Sequence, residues 1–233
     1  MAQSVEMWRL AAKIVLCVVL AVTPARTFSA KKAAPQTTED GLELKNQTRQ
    51  RLVYLRPGAT FTQYHRVALL DCHIEFSKRW LRDYNRSANV SRRISDSDLE
   101  RAKTDLARQV KEVFTEELTE GGYRIGDPNT PDTLTLRPAL VNIEVSAPDL
   151  MTPGRTVVYV RSAGQMTLYL ELWDGTTNTL LARVVDAQAD SGTYGGMRTN
   201  SVTNRAAADR ILRIWAEELR KKLDLARGKS ARD

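Results

Sequence analysis

The chain has 233 residues, of which 42% are hydrophobic and 27% charged, a composition typical of one globular domain with polar ends. Its net charge of +7 comes from 35 basic residues spread among 28 acidic ones, so we expect no nucleic-acid binding. The two cysteines are Cys17 and Cys72, so removal of the first thirty residues would leave Cys72 alone and no intramolecular disulfide could form.

Residues 1–30 have the organisation of an export signal. Basic residues precede an apolar run over residues 14–22, and small residues near Ser29 and Ala30 suit cleavage. A nine-residue helix reaches only about 14 Å, which is under half of the roughly 30 Å hydrocarbon core. Cys17 lies inside the run rather than after it, so we do not expect it to be lipidated. We predict a removed signal peptide and a periplasmic protein.

Residues 31–40 are predicted to be a flexible linker. Further along the chain, residues 66–76 alternate in polarity, which indicates a half-buried β-strand. The predicted buried face carries Ala68, Leu70, Cys72, Ile74 and Phe76, and the other face carries Val67, Leu69, Asp71, His73 and Glu75. Asp71, His73 and Glu75 leave two interpretations. They form a solvated strand face, or they form a row of ligands about 7 Å apart along the strand.

Residues 77–93 place aromatic side chains among arginines. Trp80, Arg82 and Tyr84 belong to the residue types that are enriched where proteins meet. The segment is predicted to be a surface loop or short helix whose aromatic side chains pin it to the body. An exposed docking patch is the alternative.

Residues 94–122 carry the strongest helix signals of the sequence. Ser95 can cap the first free amides, and Asp98 is placed to complete a capping box. Gly121 and Gly122 can end the helix. The apolar stripe, at three- and four-residue spacing, consists of Leu99, Ala102, Leu106, Val110, Val113, Phe114 and Leu118.

The second half of the chain indicates strands. Residues 134–145 favour a β-strand, and Pro138 places that strand at a sheet edge or a bulge because proline cannot donate to a ladder. Residues 165–173 and 179–187 flank a polar turn, the pattern of a β-hairpin.

A final amphipathic helix is predicted to begin at a cap provided by Thr203 or Asn204. Its apolar stripe consists of Ala207, Ile211, Ile214, Trp215, Leu219 and Leu223. We therefore predict an α+β fold: a mixed, mainly antiparallel sheet with two main helices packed on one face. One domain would span residues 41–226, followed by a disordered basic tail over residues 227–233.

Short motifs recur here in the order of a known family: Asp40-Gly41-Leu42, Tyr54-Leu55-Arg56-Pro57-Gly58, Tyr64 to Val67, Ser162-Ala163-Gly164, Asp174-Gly175 and Trp215-Ala216. Over residues 40–225 the chain resembles a bacterial cell-envelope family, domain of unknown function 3313. The resemblance implies an exported protein of no established activity, often a lipoprotein. Cys17 departs from the lipoprotein pattern because it lacks a lipobox.

These observations favour a non-enzymatic module that binds another envelope protein. His65 and His73 are the chain's two histidines, so we expect no metal site, and we expect no cofactor because a phosphate loop is absent. A Gly-x-Ser-x-Gly elbow is also absent, and no catalytic residue is predicted.

Two alternatives stay open at this point. A periplasmic hydrolase or small-ligand binder could use Asp71, His73 and Glu75, with Asp186 beside them, because carboxylates next to a histidine can perform acid–base chemistry. Peripheral association with anionic lipid, including the outer membrane, could involve the basic ends of the chain, which carry Lys31, Lys32, Arg220, Lys221, Lys222, Arg227, Lys229 and Arg232.

Overall fold

A computed structural model of the chain describes residues 34–145, 158–160, 164–189, 197–199 and 201–228. A 3-10 turn, Val90–Arg92, follows the first helix. None of the helices within these ranges combines the length and the apolar character needed to cross a membrane. The elements are β1 Glu43–Gln47, β2 Arg51–Leu55, β3 Arg66–Leu69, β4 His73–Phe76, α1 Lys78–Ser87, α2 Asp96–Glu120, β5 Arg124–Ile125, β6 Thr133–Val145, β7 Val158–Val160, β8 Gly164–Asp174, β9 Leu180–Ala189, β10 Met197–Thr199 and α3 Ser201–Ala226.

Eight strands form one mixed sheet in the order β1-β2-β9-β8-β6-β3-β5, with β4 also paired to β6. The pairs β1–β2, β2–β9, β9–β8 and β8–β6 are antiparallel. Strands β8 and β9 form the predicted hairpin. By contrast, β3 and β4 run parallel to β6, and β5 runs parallel to β3. Strands β7 and β10 form a separate antiparallel pair.

The two long helices, α2 and α3, cover one face of this sheet. Alternate residues of β8 are buried in the same hydrophobic cluster as both helices. Alternate strand residues lie on one face of a sheet, so both helices pack against that face. The predicted α+β fold is confirmed. The β8 residues are Met166, Leu168, Leu170 and Leu172, and the helices contribute Val110, Val113, Phe114, Leu118, Ile211, Leu212, Trp215, Ala216 and Leu223.

Helix α2 begins and ends where its sequence signals predict. The Ser95 hydroxyl accepts a hydrogen bond from the Asp98 amide at 3.2 Å, and the Asp98 carboxylate accepts one from the Ser95 amide at 3.1 Å. This capping box also holds the pKa of Asp98 below its ordinary value, chiefly through the Ser95 hydroxyl. At the other end, Gly122 takes a φ of 81°, which glycine adopts readily.

The predicted strand over residues 66–76 is interrupted. Its two parts, β3 and β4, pair with β6 through Leu69 opposite Leu136 and His73 opposite Ala139. Residues 70–72 therefore lie opposite residues 137–138, where Pro138 has no amide hydrogen to offer. Pro138 itself lies in a central strand and not at an edge, and the irregularity falls on its neighbour.

This interruption makes the predicted alternation partly wrong. Val67 is fully buried although it was assigned to the outer face, and Ala68 beside it is buried as predicted. Val67 belongs to the core cluster that contains α2 and α3, whereas Ala68 does not, so β3 turns towards the helices the face that was predicted to be outer. In β4 the alternation holds, with Ile74 buried and His73 and Glu75 exposed.

Helix α3 differs from its prediction in two ways. It begins at Ser201, earlier than a cap at Thr203 or Asn204 would place it. In addition, Ile214 is 47% exposed, whereas Ile211 and Trp215 are buried. Successive helix residues are turned by 100°, so the apolar stripe through residues 211, 215, 219 and 223 is bordered on one side by Leu212 and Ala216, which are buried. Ile214 lies beyond the opposite border of the stripe.

Both ends of the predicted domain extend further than expected. The Gln36 carbonyl accepts a hydrogen bond from the Leu44 amide at 2.8 Å, so part of the segment predicted as a linker is joined to β1. At the other end, the Arg227 guanidinium lies 4.9 Å from the centre of the Tyr123 ring and bonds the His65 ring at 2.8 Å. The first residue of the predicted tail is therefore held against the body.

Candidate functional site

Two adjoining cavities lie at the end of the sheet where β6 stops and β8 begins. The inner cavity, of about 310 Å³, lies between this sheet end and the facing parts of α2 and α3. The outer groove, of about 780 Å³, runs beside α1. Both are lined by Trp80, Glu144, Val145, Gly164 and Gln165, so these residues form the junction between them.

The inner cavity exists because the apolar stripe of α2 is longer than the sheet surface that it covers. In the second half of the helix, Val113 and Phe114 are buried against the sheet. In the first half, Leu99 and Leu106 are half-buried and Ala102 is exposed, and all three line the cavity. Facing them are Ile143 from β6, Met166 from β8 and Ile211 from α3.

Helix α1 and Phe76 at the end of β4 supply the aromatic wall of the site. Phe76, Trp80 and Tyr84 recur at four-residue spacing and stack in sequence, with ring centres 5.8 Å and 5.9 Å apart. The Trp80 indole donates to the Val145 carbonyl at 3.0 Å, which ties α1 to the end of β6. Burial raises the pKa of the Tyr84 phenol, with nearby Arg92 opposing it.

A carboxylate lies at the junction of the two cavities. The pairing of β6 with β8 shifts between Val141 and Glu144, so this end of β6 is irregular. The Glu144 carboxylate accepts a hydrogen bond from the Gln165 side-chain amide at 2.8 Å. Next to it, a Cβ on Gly164 would lie 2.6 Å from the Glu144 carbonyl oxygen, so only glycine fits this close strand approach.

A buried hydrogen bond joins α2 and α3 beside the inner cavity. Gln109, which is 7% exposed, donates its side-chain amide to the Arg205 carbonyl near the start of α3 at 3.0 Å. This bond satisfies a buried polar group and also joins the two helices next to the inner cavity.

The structure brings together two of the three residues predicted from the α1 segment. Trp80 and Tyr84 both line the outer groove. Arg82 lies on another side of the helix, where its side chain is 63% exposed and contacts Asp83 at 3.3 Å. The arginine therefore belongs to a different surface from the two aromatic residues.

The cluster of Asp71, His73 and Glu75 does not line either cavity. Asp71 lies in the interruption before β4, where its fully solvated carboxylate is 3.9 Å from the Lys111 ammonium. His73 and Glu75 are exposed on β4. Asp186, which was considered with them, is buried elsewhere and accepts a hydrogen bond from the Trp215 indole at 2.7 Å. These positions favour the solvated-face interpretation over a catalytic row.

Metal and thiol chemistry find little support in the described residues. No group of three or more histidine, cysteine or acidic side chains within them is arranged to hold a metal ion. Cys72 is half-buried beside the core, and desolvation raises the pKa of its thiol to about 12. The thiol is therefore protonated at neutral pH, as expected for a small apolar packing residue.

Glu144, Gln165 and the cavity beside Leu99, Ala102 and Leu106 were not predicted from the sequence. One signal was available, because the apolar stripe of α2 begins at Leu99, well before the part of the helix that the sheet buries. A stripe that is longer than its packing partner leaves apolar side chains for another contact.

The sequence matches one family model, described as "Protein of unknown function (DUF3313)", over residues 37–219. No curated protein sequence is significantly similar to the chain. The chain also matches solved structures, but at low identities and low TM-scores, so these likenesses carry no argument.

Three of these structures illustrate the level of similarity. Protein XCC0632 from Xanthomonas campestris is 13% identical, with 75% of this chain and 91% of that chain covered and a TM-score of 0.38. The PelC dodecamer from Paraburkholderia phytofirmans gives 11% identity, coverage of 70% and 96%, and a TM-score of 0.34. A minor lipoprotein from Acinetobacter baumannii is 10% identical, with 70% of this chain and 93% of that chain covered and a TM-score of 0.34.

Proposed function

The chain belongs to the DUF3313 family of proteins of unknown function, and from this premise we propose that it is an exported envelope protein that binds a segment of another envelope protein. The bound segment presents apolar side chains to the inner cavity and a basic side chain to Glu144. The role is assembly in the periplasm and not catalysis.

One observation carries the binding proposal: an apolar cavity opens, across Trp80 and Glu144, onto a wider groove. The inner volume of about 310 Å³ lies at the small end of the roughly 300 to 1,000 Å³ range of ligand pockets. It suits the apolar side chains of a docked segment, while the outer groove accommodates the backbone. An apolar anchor pocket with a polar rim is typical of protein contact sites.

The charges at the rim favour a basic partner. Three of the rim carboxylates are matched by arginines of their own helix: Asp83 by Arg79 and Arg82, Asp98 by Arg101, and Asp105 by Arg108. Glu144 differs because its hydrogen-bond partner, Gln165, is neutral. Within the described part of the chain no basic side chain pairs with Glu144, which favours a lysine or arginine from the partner.

The lining of the inner cavity supports binding more than catalysis. The described residues that line it include no histidine, cysteine, serine or lysine. Among these described residues, covalent catalysis by a serine, cysteine or lysine nucleophile therefore has no candidate. The hydrolase alternative is not favoured by any contact of Asp71, His73 or Glu75.

Export is supported by the signal-like pattern of residues 1–30 and by the resemblance to an envelope family. We predict that the protein, expressed in a Gram-negative host, is recovered from the periplasm with a new amino terminus near residue 30. Intact-mass spectrometry of the purified protein checks this. A retained leader, or a mass that includes lipid on Cys17, would contradict the prediction.

The groove is tested by filling it. We predict that Ala102→Trp weakens binding of a labelled amphipathic leucine–lysine peptide by at least about tenfold, because the indole occupies the apolar pocket. Thr104→Trp, at an exposed position of the same helix that does not line the cavity, should leave affinity unchanged. Glu144→Gln should weaken binding several-fold while preserving a polar contact with Gln165. Fluorescence anisotropy measures all four proteins.

Matched probes decide the chemistry of the occupant. A leucine–glutamate peptide of the same length should bind at least about tenfold more weakly than the leucine–lysine peptide if Glu144 selects a basic side chain. Equal affinity of the two peptides would overturn the charge assignment. Displacement of the lysine peptide by a lysophospholipid, with Ala102→Trp weakening the lipid, would instead identify the cavity as a lipid site and contradict the proposal.

A further inference from the structure

Helix α1 and the 3-10 turn after it present a cluster of basic side chains. Between Lys78 and Arg93 there are six basic residues and one acidic residue, a local net charge of +5. We call this surface the α1 basic face. It consists of Lys78, Arg79, Arg82, Arg86, Arg92 and Arg93, and all six residues are exposed.

Around Lys78, Arg79 and Arg82 the basic charge of this face is only weakly compensated. The side chains of Lys78 and Arg79 are 91% and 85% exposed. Asp83, the acidic residue of the segment, lies 3.7 Å from Arg79 and 3.3 Å from Arg82, so one carboxylate serves two guanidinium groups. The contact between Lys78 and Glu75 is at the limit of an ion pair, at 4.0 Å.

The basic residues of α3 are in a different situation, although the sequence suggested that the basic ends would contact lipid. Arg220 pairs with Glu117 at 2.7 Å and with Asp224 at 3.2 Å. Lys221 pairs with Glu217 at 2.8 Å. These charges are largely neutralised within the protein. Lys31, Lys32, Lys229 and Arg232 lie outside the described residues.

An exposed apolar side chain accompanies the α1 basic face. Val90, at the start of the 3-10 turn, is 79% exposed and lies between α1 and the pair Arg92 and Arg93. A surface that joins cations to a projecting apolar side chain matches the interface of a bilayer, where phosphates lie next to the acyl boundary. A nucleic-acid backbone would offer Val90 no comparable apolar contact.

We propose that the α1 basic face binds the surface of an anionic phospholipid membrane, with the arginines at the lipid phosphates and Val90 at the acyl boundary. This contact is distinct from the proposed function, because of the six basic residues only Arg79 is among the described residues that line the groove. The other five lie outside the described lining of both cavities. It holds the protein at a membrane surface without a spanning helix.

The test uses the full mature chain and sedimentation with vesicles. We expect binding to vesicles of phosphatidylethanolamine containing phosphatidylglycerol, weakened by high salt, and little binding to phosphatidylcholine vesicles. The triple variant Arg82→Gln, Arg86→Gln, Arg93→Gln leaves the described lining of the groove unchanged. It should bind the anionic vesicles more than about tenfold more weakly, since each basic residue at such a surface contributes about fivefold. Circular dichroism checks that the variant is folded.

A matched control removes the same charge elsewhere. Arg101→Gln, Arg108→Gln, Arg213→Gln changes three exposed arginines that pair with Asp98, Asp105 and Asp209, and it should retain vesicle binding. The groove-filling variant Ala102→Trp should also retain vesicle binding, so the test distinguishes membrane binding by α1 from peptide binding in the groove.

Several results would overturn the assignment. Equal losses in the two triple variants would show that total charge matters and not the α1 face. Loss of binding after deletion of residues 229–233 alone would place the contact in the tail. Binding of duplex DNA that exceeds binding of anionic vesicles, and that is abolished in the α1 variant, would identify a nucleic-acid surface instead.

Discussion

Replacing Asp186 with alanine is expected to lower the free energy of unfolding by about 3 to 5 kcal/mol, the usual cost of removing one partner from a buried ion pair. Asp186 is 1% exposed and accepts hydrogen bonds from the Arg51 guanidinium and the Trp215 indole, each at 2.7 Å. Without it, a buried indole N–H loses its acceptor and Arg51 loses a charge partner. Urea unfolding of the variant and the parent protein measures the difference.

This carboxylate joins three elements through its partners. Arg51 lies on β2, Asp186 on β9 and Trp215 on α3, and Arg51 also bonds Glu218 of α3 at 2.5 Å. The hydrogen bond to Glu218, and to a smaller extent the one to Asp186, raises the pKa of the Arg51 guanidinium above its ordinary value. The cluster therefore fixes α3 to the sheet at a defined position, which apolar contacts alone do not specify.

Two controls separate the buried pair from ordinary surface charge. Asp209→Ala removes a partly exposed partner of Arg213 and should cost no more than about 1 kcal/mol. The double variant Arg51→Met, Asp186→Leu should recover part of the loss, because an apolar pair leaves no uncompensated charge. A cost below about 1 kcal/mol for Asp186→Ala would contradict the role assigned to the cluster.

Replacing Phe114 with alanine is also expected to cost about 3 to 5 kcal/mol, through lost burial and the cavity that remains. Phe114 is completely buried on α2 within the cluster that joins α2, α3 and the sheet. Urea unfolding again gives the free energy, and an unchanged m-value confirms that the native state still buries a similar surface.

Ile214 offers the matched control for this prediction, since it is a large apolar residue on the other long helix but is 47% exposed. Ile214→Ala should change the free energy of unfolding by no more than about 0.5 kcal/mol. Similar costs at Phe114 and Ile214 would mean that the described core is misplaced.

Local signals predicted the elements whose stability is local. The capping box of Ser95 and Asp98 and the alternation of β8 each lie within one stretch of sequence, and both predictions are confirmed. The predicted stripe of α2 is buried from Val110 to Leu118. The interruption before β4 was missed because its cause lies about seventy residues away, at Pro138 in the neighbouring strand. Spacing alone also placed Ile214 in the apolar stripe of α3. Whether a residue at the margin of a stripe is buried depends on how far the sheet extends beneath the helix, and spacing does not reveal this.

The candidate site was harder to predict because it depends on contacts between distant segments. Trp80 and Tyr84 were singled out from their residue types, yet Glu144 and Gln165, which line the same groove, come from strands that meet only in the folded sheet. Asp186 has no local signal of burial, since Arg51 and Trp215 are far from it in sequence. Residue type indicated chemistry here, and only the fold indicated which side chains share a surface.

Hydrogen exchange of the mature chain, with and without the leucine–lysine peptide, tests the central claim most directly. If the groove is the contact site, the peptide will slow exchange in α1, in the first half of α2 and at the paired ends of β6 and β8, and will leave the second half of α3 unchanged. Protection confined to other elements, or none at all at saturating peptide, would contradict the assignment of this groove as the place where the protein meets its partner.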